Sequence, residues 1–317
     1  MHVAEILSKS NKTLFSFEIL PPLKGGSFND IYKSIEPLLE FKPAYINVTY
    51  HQEEVVYKDR GNGLLEKKVV RKRPGTVGIA AALQYTCNIQ VVPHMICGGF
   101  TREETENALI DLNFLGINNV LVVRGDPDRS QKTFIPEPDG HIHSLDLVKQ
   151  IVDLNHGKYL EEDLQNTTPT NFCIGVAGYP EKHPEAPNKA SDLRYLKMKI
   201  EAGASYIVTQ MFFDNRKYFE FVYDCHEMGI NVPIIPGLKP VATCQHLYLL
   251  PKTFGIDLPD DLAKELEKCK TNQEARNLGI EWTIQQTKEL IAAHVPAVHF
   301  YTMGRSDNIY QIAKACF

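Results

Sequence analysis

The chain has 317 residues, 43% of them hydrophobic and 23% charged, with a formal charge of -5 and a pI near 6.1. This is ample material for a packed core, which excludes disorder, and the acidic balance excludes a general affinity for nucleic acid or for anionic membrane surfaces. The expected partner is a small molecule.

In chain order, residues 14–17 form an apolar run ending at Glu18, 45–48 one ending at Thr49 and Tyr50, 91–93 at His94, and 120–123 at Arg124, Gly125 and Asp126. The second half repeats the arrangement: 174–177 before Tyr179, 206–208 before Thr209 and Gln210, 232–235 before Pro236 and Gly237, and 298–300 before Tyr301. Strands buried on both faces read as continuous apolar runs of this kind, and stretches of helical period separate them. Ser27 with Asp30 opens one such stretch, and Thr101 with Glu104 makes a capping box ahead of another. Further helices are predicted over 145–154, 192–202, 215–228, 260–270 and 272–293. Gly116, Gly203 and Gly229 each follow a helix and precede a strand, where a left-handed cap turns the chain back. The pattern predicts an α/β fold, a (β/α)8 TIM barrel formed by residues 1–317 as a single domain, with its active site at the C-terminal ends of the strands.

Two segments exceed the minimal repeat. Residues 51–76 leave the C-terminal end of the second strand, where a lid or cofactor-covering loop is expected; their basic cluster, Lys67, Lys68, Arg71, Lys72 and Arg73, reads as a solvated loop or helix end. Residues 156–171 are polar and join a helix to the fifth strand on the opposite rim, where a role in stability or assembly is expected. Seven scattered cysteines without a CxxC pair, and no apolar segment long enough for a signal peptide or membrane span, lead to the expectation of a cytoplasmic protein with reduced thiols.

Several strand ends carry chemistry. Glu18 lies on an inward-facing strand end flanked by Phe15 and Phe17, so partial desolvation raises its pKa into the range of a general acid; the alternative is a carboxylate paired with a barrel-interior lysine or arginine. In Arg124-Gly125-Asp126 the glycine allows close backbone approach to a ligand, the arginine reaches a phosphate or ring carbonyl, and the aspartate bonds a heterocycle; ordinary turn chemistry explains Gly125 and Asp126 equally. The stiff run 179–186, with Tyr179, two prolines and His183, presents a stacking face, or is a rigid turn in which His183 caps the next helix. Gln210 beside Met211, Phe212 and Phe213 suits a heterocycle with donor and acceptor edges. His94, Cys97, His141 and His143 invite a metal reading, but no ligand spacing supports it. No GxGxxG or phosphate loop is present, so any nucleotide must be held by barrel loops.

These motifs, in order from 16–22 through Val48-Thr49-Tyr50, Pro93-His94, Arg124–Asp126, 179–186, 202–203, 209–214, Pro236-Gly237 and 299–302, resemble the methylenetetrahydrofolate reductase family in its short form, the catalytic barrel alone. The resemblance implies non-covalent FAD across the barrel mouth, NADH or NADPH as hydride donor, methylenetetrahydrofolate as acceptor in a ping-pong mechanism, a methyl supply for methionine synthesis, and a homo-oligomer. Carried over by position, Glu18 protonates the folate nitrogen that leaves as the one-carbon bridge opens, and Asp126 favours the resulting cation. Gln210, Phe212, Tyr301 and Arg305 are implied on the folate side. Thr49, His94, Arg124, Gly125, Asp126, His143, Ser144, Tyr179, His183, Asp192 and Lys199 are implied around FAD. Cys244 stands where family members can carry an aromatic, His143 and Ser144 replace a Tyr and an Ala, and Gly304 replaces an Asn. No segment after Phe317 is available for a regulatory domain, so control through one is not expected. Two rivals remain: a metal-dependent lyase or hydrolase built on His94, Asp126 and His183, and a non-catalytic binding barrel.

Overall fold

The computed structural model describes residues 1–127, 131 and 133–317. All eight apolar runs are parallel strands of one closed barrel, and a two-stranded antiparallel ribbon stands outside it. In chain order the strands are β1 Leu14–Ile19, β2 Tyr45–Val48, ribbon strands β3 Glu54–Asp59 and β4 Leu65–Val70, β5 Gln90–Ile96, β6 Asn119–Val123, β7 Cys173–Gly178, β8 Tyr206–Met211, β9 Ile234–Leu238 and β10 Ala297–Tyr301. Pairing of β1 with β10, Leu14 opposite Ala297 through Glu18 opposite Tyr301, closes the ring.

Alternation along each strand produces two apolar layers. Phe15, Phe17 and Ile19 of β1 point outward into the core shared with the helices, while Tyr45, Val92, Leu121, Cys173, Tyr206, Val208 and Ile235 fill the lower barrel. Helix Val3–Lys9, which sequence periodicity did not reveal, closes the barrel's floor with Val3 and Leu7, its Val3 N–H bonded to Asn119 Oδ1 at 2.8 Å. Both expected capping boxes form, Ser27 with Asp30 and Thr101 with Glu104. Gly116, Gly203 and Gly229 have φ of 65°, 123° and 79°, the positive values that the turns after the helices require. Helices Thr76–Cys87, His246–Phe254 and Asp307–Cys316 add to those expected.

The 51–76 insertion is not a loop. Its Lys67 and Lys68 lie on β4, paired with Tyr57 and Val56 of β3, so the basic cluster is partly strand rather than loop or helix end. Lys24 N–H donates to Lys72 O, Arg73 bonds Pro21 O, and Gln52 Nε2 donates to Asp126 O at 3.2 Å, which ties the ribbon's root to the loops after β1 and β6. Residues 156–171 lie before β7, on the opposite rim, and carry no helix or strand. Among the described residues no helix is long and apolar enough to cross a membrane.

Strand β8 departs from regular pleating. Val208 pairs with Ile235 and Met211 with Gly237, three steps on one strand against two on its neighbour, which is a β-bulge. The bulge turns the Thr209 carbonyl so that the Tyr301 hydroxyl donates to it at 2.5 Å, and Thr209 Oγ1 accepts from Gly237 N at 2.9 Å. A Cβ on Gly237 would meet Thr209 O at 2.3 Å and the Tyr301 ring at 2.6 Å, so only glycine admits that ring.

Candidate active site

Glu18 ends β1 inside the barrel with 6% of its surface exposed. Burial pushes its carboxyl from 4.5 up to about 8, against a smaller downward pull from the Lys239 ammonium. Lys239 follows β9, is 8% exposed, and is itself lowered by burial and partly restored by Glu18. Burial opposes ionisation of Glu18 more strongly than the nearby Lys239 ammonium favours it. The Thr302 hydroxyl donates to the Glu18 carbonyl at 2.8 Å and holds the strand end. Tyr301, paired with Glu18 across β10 and β1, shares this mouth. Gln210 lies at the bulge, its Oε1 accepting from Met211 N at 2.9 Å.

Around Glu18, above the apolar lower barrel, the interior is polar. Asn47 contacts His94 Nε2 at 3.3 Å, and Ser16 Oγ lies 3.0 Å from His299 Nδ1. Burial lowers both imidazoles, His94 to about 4 and His299 to about 3, so both are neutral at physiological pH. Thr49 stands at the end of β2 with N–H and hydroxyl both donating to Ile19 O.

A second feature opens beside the mouth, between β6 and β7: a cavity of about 450 Å³ lined by Arg124, His143, Ser144, Tyr179, His183, Glu185, Asp192 and Lys199 among others. Seven of these eight are residues that the resemblance implied for cofactor binding; Glu185 is the eighth. Arg124 gives Nη1 and Nη2 to Glu185 at 2.6 and 2.7 Å, lies over the Phe134 ring at 5.0 Å, and keeps its Nε buried without a partner. Gly125 has φ +88°, a backbone geometry that favours glycine. Tyr179 meets His183 edge-on at 4.7 Å. His183 does not cap the next helix: Asn188 does, while His183 N–H donates to Asp192 Oδ2 and its Nδ1 accepts from Glu185 N. Lys199 donates to Ala177 O at 3.1 Å, and burial lowers its ammonium to about 8 against the opposing Asp192 carboxylate.

The strand ends therefore bring Glu18, Gln210 and Tyr301 to one barrel mouth, with Thr49 following β2, His94 on β5 and exposed Asp126 following β6. Arg305 is exposed on the turn after β10. Phe212 is not brought there. The bulge resets the alternation, so its ring points outward, 0% exposed, stacked on Tyr218 at 5.6 Å in the core between barrel and helices. Lys239 and Glu185 were missed by sequence reasoning. A lysine directly after the run 234–238 was a usable signal for the first, and the second lay inside the 179–186 motif. Among the described residues no three His, Cys, Asp or Glu side chains gather to hold a metal, and His94 and His183 are engaged as above.

With this geometry in place, comparison with known proteins decides the family: the model for methylenetetrahydrofolate reductase matches residues 3–316. The chain belongs to the methylenetetrahydrofolate reductase family. Methylenetetrahydrofolate reductase (NADH) 1 of Arabidopsis thaliana is 31% identical over 308 residues, covering 94% of this chain and 47% of its own length. A probable methylenetetrahydrofolate reductase (NADPH) of Caenorhabditis elegans is 29% identical over 98% of this chain and 43% of its own. The chain thus spans about half the length of these relatives. It spans 92% of the 5,10-methylenetetrahydrofolate reductase of Salmonella typhimurium, with 30% identity over 312 residues. Among solved structures, an uncharacterized Clostridium thermocellum protein that binds two copies of 5-methyl-5,6,7,8-tetrahydrofolic acid shares the fold with a TM-score of 0.58 and 15% identity, covering 98% of this chain and 96% of that one.

Proposed function

We propose that this chain reduces methylenetetrahydrofolate to methyltetrahydrofolate with non-covalent FAD and a reduced nicotinamide, in two alternating half-reactions. The observation that carries the reading is Glu18, a carboxyl buried at the mouth of a barrel of this family, whose burial pushes its pKa up to about 8. FAD suits the residues present: the side cavity offers Arg124 with an unpartnered buried Nε, a positive-φ glycine beside it, and an aromatic pair in Tyr179 and His183. Arg124 would hold phosphate, and Gly125 would let the backbone approach. When bound, FAD supplies a ring that accepts hydride from the nicotinamide and passes it to the one-carbon bridge of the folate.

The chain's own groups prepare the folate. Glu18 donates its proton to the nitrogen that leaves as the bridge opens, so a cationic one-carbon unit remains on the other nitrogen, and the Glu18 carboxylate left behind is stabilised by Lys239. Asp126, exposed at the rim, favours that cation electrostatically. Gln210 has its amide oxygen on the Met211 N–H, so its NH2 end is the one presented to the pterin. Tyr301, locked to Thr209 O, forms an apolar wall beside Glu18 and keeps water from the acid.

Anaerobic stopped-flow absorbance tests the reading. The purified protein should be yellow, bleach with NADH or NADPH, and regain colour with methylenetetrahydrofolate. A protein that takes up no added FAD, or whose bleached form ignores the folate, defeats it.

A further inference from the structure

The ion pair inside the side cavity has a consequence for the ligand that enters. Arg124 carries five N–H donors on three nitrogens: Nη1 and Nη2 each give one to a carboxylate oxygen of Glu185, which closes the terminal edge of the guanidinium, and Nε is buried without a partner. A phosphate that pairs with the Nη1–Nη2 edge of this guanidinium must take the positions that Glu185 holds. The other carboxylates lining the cavity are tied to backbone: Asp192 accepts from His183 N–H at 2.8 Å, and Asp146 from His143 N–H at 3.3 Å. Glu185 alone of the three bonds a cation with both oxygens. Its side chain is 54% exposed against 21% for Arg124, so it can turn into solvent while the arginine stays in the wall. The loop beneath it is fixed by Lys182, whose ammonium bonds the His183, Pro184 and Ala186 carbonyls, so the exchange needs a side-chain rotation only.

We propose that Glu185 is an internal competitor for the diphosphate of the dinucleotide: it occupies the outer edge of Arg124, and the incoming phosphate displaces it into water. The inference rests on the FAD reading above. A carboxylate beside an entering phosphate opposes binding through like charge as well as by holding the donor, so its neutralisation strengthens the diphosphate's hold without touching the flavin ring.

The test is a flavin-fluorescence titration of full-length wild type, Glu185→Gln and Glu185→Ala with FAD and with riboflavin, which lacks phosphate. Both variants should bind FAD about three- to tenfold more tightly, the range set by releasing one partly exposed bidentate pair, while riboflavin affinity stays the same. Unchanged or weaker FAD binding in the variants overturns the inference and makes Glu185 a residue that positions Arg124 for its ligand. An equal gain for riboflavin also overturns it, since the effect would not lie at the phosphates. If wild type itself binds no FAD, the reductase reading fails and the inference falls with it.

Discussion

Replacing Glu18 by glutamine removes a titrating carboxyl and keeps its shape, and the structure sets the size of two separate effects. Burial raises the folded-state pKa from 4.5 to about 8, so folded chain holds a proton that unfolded chain releases between those limits. A group raised in this way contributes fully below the unfolded value and loses that contribution as pH climbs to the folded one. At pH 5 the deficit is below about 1 kcal/mol, at pH 7 it is about 3 kcal/mol, and above pH 8 it levels near about 5 kcal/mol. Glu18→Gln carries no such dependence. Urea denaturation should therefore show the two proteins nearly matched at pH 5, with the variant's midpoint higher by about 1 M at pH 8.5. In the same variant, bleaching by nicotinamide should persist while folate reduction falls by about 10² to 10⁴, the range of a lost general acid. A midpoint difference that does not change with pH refutes the burial argument. Equal loss in both half-reactions refutes the role of Glu18 as the acid.

Lys239→Met removes the cation that pulls the Glu18 pKa down, so the alkaline limb of the folate-reduction pH profile should move to higher pH; a shift to lower pH would show that Lys239 does not act on Glu18 by charge. Phe212→Leu should lower stability by about 1–3 kcal/mol in thermal denaturation, as expected for a smaller side chain in a packed core, and leave the apparent KM for the folate unchanged. A raised KM at unaltered stability would restore Phe212 to the substrate side.

The eight strands were legible because the barrel buries both of their faces, and residues such as 120–123 and 206–208 can be apolar throughout only in that setting. Helix starts were equally plain at Ser27 and Thr101, where the cap is a local bond between residues three apart. The ribbon of β3 and β4 was hidden because Leu65, Lys67 and Val69 alternate on an exposed face, mixing apolar and charged positions that in sequence read as a loop. The β8 bulge left no sequence mark at all, and it reversed the direction expected for Phe212. Gly237 was noted only as following the run 232–235, yet its reason is the Tyr301 ring that a Cβ would strike.

From residue types and their spacing alone came the barrel and the polar residues standing at the C-terminal ends of its strands, because these depend on local periodicity and on which faces a strand must bury. Pairings between distant residues came only from closing the ring. Glu18 meets Lys239 because β1 follows β10 and β9 around the barrel, and Arg124 meets Glu185 because β6 lies against β7. The raised pKa of Glu18 comes from its burial inside the closed ring, against the pull of Lys239, and the partner of Arg124 from the contact of β6 with β7. Desolvation and charge act through space, and no pattern along the chain records which groups space brings together.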